Sequence, residues 1–221
     1  MKKNILTLAL LGACTGTWAQ SASTWLIQGG FTHIAPKVSS GNLSAPSPAG
    51  TTVDVSANTK PTLQVTYMVN DHVAIAVPLG LGFKHKLLGT GAIAGTGQIG
   101  TVTALPVTVF GQYRFGEAQA GFRPYAMLGM SYAWFHDAKG SAALNGLNPI
   151  NPTGGSTNLK VESKFAPSLG FGLTYKVNDL WFVDASYAKT FLKTTTTLST
   201  GQTIQTRLNP DMITLGIGRK F

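Results

Sequence analysis

The sequence has few charged residues. Asp, Glu, Lys and Arg make up 11% of its 221 residues, whereas soluble domains contain roughly 25%. It also lacks a long apolar run, although a transmembrane helix needs about 20 consecutive apolar residues. Beyond the first 36 residues, the longest uncharged stretch is residues 87–113. Glycines and Pro106 interrupt it, which makes it a poor helix. The composition therefore indicates either an unusual soluble protein or a closed β-barrel, which also satisfies every backbone polar group in lipid.

Cysteine occurs once, at position 14, inside a segment that has the features of an export signal. Lys2 and Lys3 begin it, residues 5–13 form its apolar core, and residues 17–19 offer small side chains at the cleavage positions. We predict cleavage after Ala19. The division is then a signal peptide at 1–19 and one domain at 20–221, with no thiol and no disulfide.

A second interpretation of the same segment is a lipoprotein signal. Residues 11–14 read Leu-Gly-Ala-Cys, a loose form of the box that is cleaved ahead of a lipidated cysteine. This interpretation shortens the apolar core and leaves residues 17–19 unexplained, so cleavage after Ala19 is preferred over lipidation of Cys14.

Alternation with period two runs through most of the remaining chain. In residues 72–84 and 164–177, large apolar residues occupy one parity and small or polar residues the other, as in strands that face lipid on one side and a lumen on the other. Residues 122–137 are apolar on both parities, and we assign Ala126, Leu128, Met130, Tyr132 and Trp134 to the outside. The eight segments are approximately 25–32, 59–69, 72–84, 101–115, 122–137, 164–177, 181–187 and 213–221.

The connections between these segments alternate in length. Long links at about 35–58, 87–100, 138–159 and 196–204 alternate with short links at 70–71, 116–121 and 178–179. This order predicts an all-β protein, an eight-stranded antiparallel up-and-down transmembrane β-barrel. In outer-membrane barrels the short turns and both termini are periplasmic and the long loops are extracellular, so we expect that orientation here.

The order of several short motifs resembles the OmpW family of small outer-membrane proteins. The motifs are Trp-Leu-Ile-Gln-Gly-Gly at 25–30, Pro-Val-Thr at 106–108, Tyr-Arg-Phe at 113–115, Phe-Arg-Pro-Tyr at 122–125 and Leu-Asn-Pro at 208–210. The resemblance implies an eight-stranded barrel from a family whose members are implicated in the passage of small hydrophobic molecules. The terminal Phe221 resembles the signal that the barrel assembly machinery reads, although Arg219 departs from that pattern.

An eight-stranded barrel has an interior that side chains nearly fill, which excludes a wide aqueous pore. The alternation assigns an apolar part of the lumen to Leu26, Ile34, Met68, Val102 and Phe110. Two interpretations stay open: a narrow apolar cavity, or residues that simply pack the interior. Arg114 and Asp184 are the charges of the lumen parity that we expect to pair, because intramembrane charges usually do.

Three functional hypotheses follow. The first is a narrow channel or binding cavity for small hydrophobic molecules. The second is a structural or receptor barrel whose extracellular loops bind phage, toxin or host surfaces. The third, an enzyme, is disfavoured, because none of the four histidines begins the His-x-Ser motif of outer-membrane lipid deacylases.

We predict no catalytic residue, cofactor or metal site. His33, His85 and His136 are expected to be exposed residues near the outer rim. The dispersed basic residues do not predict nucleic-acid binding; they fit outer-membrane lipids, and especially the phosphates of lipopolysaccharide. The basic residues expected toward the outer ends are Lys37, Lys84, Lys86, Lys139, Lys189, Lys193 and Arg207.

Overall fold

A computed structural model describes residues 22–146 and 157–221. The predicted signal peptide and Cys14 lie outside the described residues. In chain order the elements are β1 (Trp25–Ala35), β2 (Ser39–Ser40), β3 (Thr51–Val55), β4 (Asn58–Met68), β5 (Val73–Gly80), β6 (Phe83–Gly91), β7 (Gln98–Arg114), β8 (Phe122–Gly140), α1 (Ala142–Gly146), β9 (Leu159–Val161), β10 (Lys164–Lys176), β11 (Trp181–Thr190), β12 (Lys193–Leu198), β13 (Thr203–Arg207) and β14 (Asp211–Lys220).

Eight of these strands close into an antiparallel barrel, which confirms the predicted fold. Around the barrel the order is β1, β4, β5, β7, β8, β10, β11 and β14. The first and last strands close the barrel, with partners running from Leu26 and Lys220 to Ala35 and Asp211. We call the end with the turns at 69–72, 115–121 and 177–180 the turn end, and the opposite end the loop end.

The long links contain short strands and one short helix in addition to irregular segments, which differs from the expectation of loops alone. β6 and β3 continue the barrel wall beside β7, and a separate four-stranded sheet has the order β2, β13, β12, β9. We call these strands, α1 and the outermost parts of β7 and β8 the loop-end extension. Apolar residues that the sequence scatters over several links meet here in one cluster of Leu87, Ile93, Ile99, Val102, Leu144 and Leu198. Their shared burial stabilises the described parts of these links.

The outward parity of the barrel strands forms an apolar band. On β8 the residues assigned to the outside are confirmed, with Leu128 69% and Met130 52% exposed, while Tyr125 and Met127 are buried. Trp25, Tyr67 and Trp181 lie toward the turn end of this band, as interfacial aromatic residues do. Within the described ranges, no helix is long and apolar enough to cross a membrane.

One parity assignment is wrong. The alternation of residues 72–84 placed Phe83 outside and Lys84 inside, but Phe83 is buried and Lys84 is exposed. β5 ends at Gly80 and β6 begins at Phe83, and the irregular backbone at residues 81–82 shifts the alternation by one position. A one-residue shift exchanges the two faces of a strand, and His85 becomes inward-facing as a result.

Two phenylalanines on the outward face of β10 test the depth of the apolar band. Phe171 lies near the middle of the strand's span and Phe165 at its loop end; each contacts one tyrosine ring. We expect Phe171→Arg to lower the free energy of unfolding by about 2–4 kcal/mol and Phe165→Arg by about 0–1 kcal/mol, because the cost of a charge depends on its depth. Equilibrium unfolding in lipid vesicles measures both. Equal losses at the two positions would contradict a lipid band centred on Phe171.

Candidate functional site

The lumen is divided into layers, and the layer nearest the loop end is an apolar cavity of about 140 Å³. We call it the loop-end cavity. The apolar cluster of the loop-end extension forms its wall on the loop-end side. Its wall on the turn-end side includes Ala133 and Leu192, which pack with the buried Ala166. Ile34, Pro106 and Met212 lie at its inner end, where they also line a second space described below. No Asp, Glu, Lys or Arg is among the described residues that line it.

A belt of hydroxyl groups surrounds the lumen below this cavity. Thr108, Ser131, Ser168 and Thr190 form one chain in which each oxygen lies 2.7 Å from the next. Thr62, Thr32 and Thr214 form a second chain with distances of 2.8 and 2.9 Å. We call these seven residues the hydroxyl belt. They come from every barrel strand except β5, and their mutual hydrogen bonds satisfy polar groups that would otherwise be costly to bury.

The barrel wall is interrupted at β5. β5 pairs with β7 from Val73 with Tyr113 to Ala76 with Phe110, and the β6 pairing with β7 begins only at Phe83 with Ala104. No ladder partners join residues 77–82 to residues 105–109, which are all described. Pro78 and Pro106 lie in these two stretches, and proline has no backbone N–H to donate.

A second space of about 60 Å³ lies at this interruption. We call it the side chamber. It is lined by inward residues such as Phe110 and Met127, and also by Leu79 and Leu81, which are exposed on the outer face of the barrel. Because the side chamber and the loop-end cavity share Ile34, Pro106 and Met212, they meet at these three residues. The two spaces are therefore neighbours, one toward the loop end and the other beside the outer wall.

A polar network fills the lumen toward the turn end. Arg114 donates hydrogen bonds to Thr174 and Gln112 at 3.0 and 3.1 Å, and its guanidinium lies 4.8 Å from the centre of the Tyr125 ring. The Asp184 carboxylate accepts hydrogen bonds from Thr174 at 2.7 Å and Tyr125 at 2.9 Å. We call this network the turn-end plug; its members are Gln112, Arg114, Tyr125, Thr174, Asp184 and Gln28, which also bonds Asp184. All six are buried.

Glycine makes room for the turn-end plug. A Cβ atom on Gly172 would collide with the ring and hydroxyl of Tyr125, so any larger residue there would displace the tyrosine. A lumen lined by small residues therefore does not have to be open. Here the space that Gly172 leaves is occupied by an aromatic ring of the neighbouring strand.

The predicted lumen residues fall into different layers. Ile34 and Val102 line the loop-end cavity, and Phe110 lines the side chamber. Leu26 and Met68 instead pack with Ala74 and Phe182 in a separate cluster at the turn end, below the turn-end plug. Arg114 and Asp184 do belong to one network, linked through Thr174. Phe221 lies at the closure, where its backbone exchanges hydrogen bonds with Trp25 at 2.8 and 3.0 Å.

His85 is a cavity residue that sequence reasoning missed. The expectation that it is an exposed rim residue is wrong: it is 4% exposed and lines the loop-end cavity. Its Nδ1 lies 2.6 Å from the carbonyl oxygen of Ser56. Because the alternation shifts by one position after Gly80, the sequence pattern does not predict that His85 faces inward. His85 lies in the loop-end extension, outside the membrane-spanning segments, and burial lowers its pKa below the usual 6.5 although the bond to Ser56 opposes this.

The described residues contain no group of three or more His, Cys, Asp or Glu side chains that could hold a metal ion. His33 and His136 lie apart from His85 along the rim: His33 bonds Thr59 and His136 packs against Trp134. The arrangement can bind an apolar molecule in the loop-end cavity, while the turn-end plug closes the opposite end of the lumen.

A closed eight-stranded barrel with an apolar outer band and a narrow, layered lumen defines a small β-barrel membrane protein. The chain belongs to the OmpW family, whose model matches residues 21–221. It is therefore an outer-membrane protein, as are its named relatives.

The relatives match over their full length. The chain is 29% identical to outer membrane protein W of Vibrio cholerae serotype O1 over 227 residues and 30% identical to outer membrane protein W of Escherichia coli K12 over 228 residues, with 100% of each chain covered. The crystal structure of OprG from Pseudomonas aeruginosa has the same fold, with a TM-score of 0.80 at 22% identity, covering 92% of this chain and 99% of that one.

The turn-end plug makes a prediction about stability. Asp184→Asn keeps the shape of the side chain but leaves Arg114 buried without its countercharge. We expect a loss of about 1.5–3 kcal/mol in the free energy of unfolding, the range for hydrogen bonds to a charged group, measured by urea titration in vesicles. Asp211→Asn is the control, because Asp211 pairs with the partly exposed Lys189 at 2.8 Å and such pairs contribute less than about 1 kcal/mol. A smaller loss for Asp184→Asn than for Asp211→Asn would rule out the network as a main stabilising feature.

The buried His85 predicts a dependence of stability on pH. Because its native pKa lies below 6.5, the unfolded chain binds more protons than the folded chain between the two values, and the free energy of unfolding falls as the pH drops below about 6.5. We expect His85→Gln to reduce this slope between about pH 7.5 and 5, measured by urea unfolding. The control Val102→Ala, at the position paired with His85 in the sheet, changes no titratable group and should keep the slope of the parent protein. An unchanged slope in His85→Gln would show that His85 is not the titrating group.

Proposed function

We propose that this protein is a channel that carries small hydrophobic molecules across the outer membrane. The solute enters the loop-end cavity, passes between Ile34, Pro106 and Met212 into the side chamber, and leaves sideways between β5 and β7 into the membrane. The interrupted ladder between β5 and β7 is the observation that carries this proposal.

The chemistry of the walls supports an apolar solute. A small hydrophobic molecule gains free energy in proportion to the apolar surface that leaves water, about 25 cal/mol per Å². The described lining of the loop-end cavity is dominated by Leu, Ile, Val and Ala side chains. A charged solute would lose its hydration there with no countercharge to replace it.

The layers on the turn-end side of the cavity favour exit through the barrel wall over passage along the barrel axis. The turn-end plug fills the lumen with buried, hydrogen-bonded side chains, and Leu26, Met68 and Phe182 pack beneath it. A solute moving along the barrel axis would have to break this network. The side chamber instead reaches Leu79 and Leu81 on the outer face, where the surroundings of the barrel are apolar.

The orientation belongs to the same proposal. With the turn end and both termini in the periplasm, the loop-end extension faces outward and receives solutes from outside the cell. Lys193 and Arg207 are neighbours across β12 and β13, and they and the other basic residues near the loop end would meet lipopolysaccharide phosphates. Phe221, at the closure with β1, would be presented to the barrel assembly machinery.

Two other roles fit the molecule less well. A receptor barrel for phage, toxin or host surfaces would need only its outward surface. The two adjacent spaces in the lumen would have no role in it. An enzyme would need a nucleophile beside its base, whereas His85 bonds a backbone carbonyl through Nδ1. We therefore infer a role in binding and passage without catalysis.

Adjacent residues on β14 allow a test of the route. Met212 lies at the junction of the two spaces, and Ile213 is exposed on the outer face. We expect Met212→Trp to slow uptake of an apolar fluorescent probe, N-phenylnaphthylamine, toward the rate of cells that lack the protein, because the indole fills the junction. Ile213→Trp should leave uptake at the parent rate. Equal amounts of folded protein are verified by the gel shift between unboiled and boiled samples.

Uptake that is the same with and without the protein would overturn the channel. If such cells also differed in sensitivity to phage or toxin, the receptor role would replace it. Uptake slowed equally by Met212→Trp and Ile213→Trp would contradict a route through the junction.

A further inference from the structure

His85 is held in place by a compact set of hydrogen bonds around Ser56. The Ser56 N–H donates to the Lys86 carbonyl at 2.9 Å, and the Ser56 hydroxyl accepts from the Lys86 N–H at 2.9 Å. The Ser56 carbonyl then accepts from the His85 ring at 2.6 Å. One residue thus fixes both the backbone beside His85 and the orientation of its imidazole.

The bond to Ser56 also fixes the tautomer. A carbonyl oxygen can only accept, so Nδ1 must carry the proton, and in the neutral ring Nε2 is then an acceptor. A hydroxyl group can turn to donate or to accept, but this nitrogen cannot donate while the ring is neutral. His85 therefore offers the loop-end cavity an acceptor of fixed position and fixed role.

The surroundings of His85 make that acceptor selective. Val53, Val55, Leu87 and Val102 line the cavity with it. Several polar side chains of the lining already have partners in the protein: Thr51 bonds the Pro48 carbonyl and Thr194 the Glu162 carbonyl, while Ser131 and Thr190 belong to the hydroxyl belt. Nε2 of His85 has no hydrogen-bond partner among residues 22–146 and 157–221. A hydrogen-bond donor of a ligand in the cavity can therefore pair with this nitrogen.

We propose that His85 is a specificity-determining residue of the channel and binds solutes that carry one uncharged hydrogen-bond donor on an apolar body, such as a phenol or an alcohol. The donor hydrogen bonds to Nε2 while the apolar body contacts the surrounding valine and leucine side chains. This inference rests on the proposed function, because it needs a cavity that admits solute. It goes further in naming the chemical class that the cavity retains best.

Two fluorescent ligands that differ by one hydroxyl group test the inference. Purified protein in detergent is titrated with naphthalene and with 2-naphthol, for the parent, His85→Phe and Val102→Ala. We expect His85→Phe to weaken 2-naphthol binding by about 5- to 10-fold, the value of one hydrogen bond, and to leave naphthalene binding within about 2-fold. Val102→Ala, at the position paired with His85 in the sheet, removes only apolar contact and should change both affinities by the same factor.

The outcomes separate this inference from the function on which it rests. If naphthalene does not bind the parent protein, the apolar cavity itself is not a solute site and both proposals fail. If naphthalene binds but His85→Phe changes both affinities equally, the channel stands and His85 is only a structural residue. Only a loss specific to 2-naphthol supports the assignment.

A measurement on the parent protein covers the case in which His85→Phe does not fold. The ¹⁵N chemical shift of His85 Nε2 should move when 2-naphthol is added, because the nitrogen gains a hydrogen bond, and should stay near its free value with naphthalene. Equal shifts with both ligands, or none with 2-naphthol, would overturn the proposal.

Discussion

The structure depends on the need of every backbone N–H and C=O group for a partner in apolar surroundings. The ladder between β1 and β14 meets this need at the two ends of the chain, because it joins the first barrel strand to the last without a free edge. An interruption in such a wall is therefore informative. Between β5 and β7 the ladder stops for several residues in stretches that contain Pro78 and Pro106, and this interruption coincides with the side chamber.

The polar side chains of the lumen also need hydrogen-bond partners. Hydroxyl groups bond one another around the hydroxyl belt, and the charges of Arg114 and Asp184 are satisfied within the turn-end plug. The turn-end plug fills the lumen toward the turn end, and the loop-end cavity and the side chamber provide the space. His85 departs from this rule, since only one of its ring nitrogens has a partner in the described part of the chain, and a solute can supply the other.

Sequence reasoning succeeded where the position of a residue within its own strand decides which face of the barrel it lies on. Period two identified the eight barrel strands and the outward face of β8, because a residue's parity decides its face. It also assigned Arg114 and Asp184 to the lumen, although not the bridging Thr174. It failed at residues 81–82, where an irregularity shifts the register, and this hid the burial of Phe83 and His85. It also treated the links as loops, because their apolar residues become a cluster only after five segments of the chain have come together.

The sequence alone determined the closed antiparallel barrel, its apolar outer band and its membership of the OmpW family, since these follow from alternation and from the order of short motifs. Tertiary structure decided whether the lumen is filled or open. Small residues such as Gly172 predict space, but a neighbouring strand fills that space with Tyr125. The loop-end cavity and the interruption between β5 and β7 depend on cross-strand neighbours distant in sequence, and local periodicity carries no information about them.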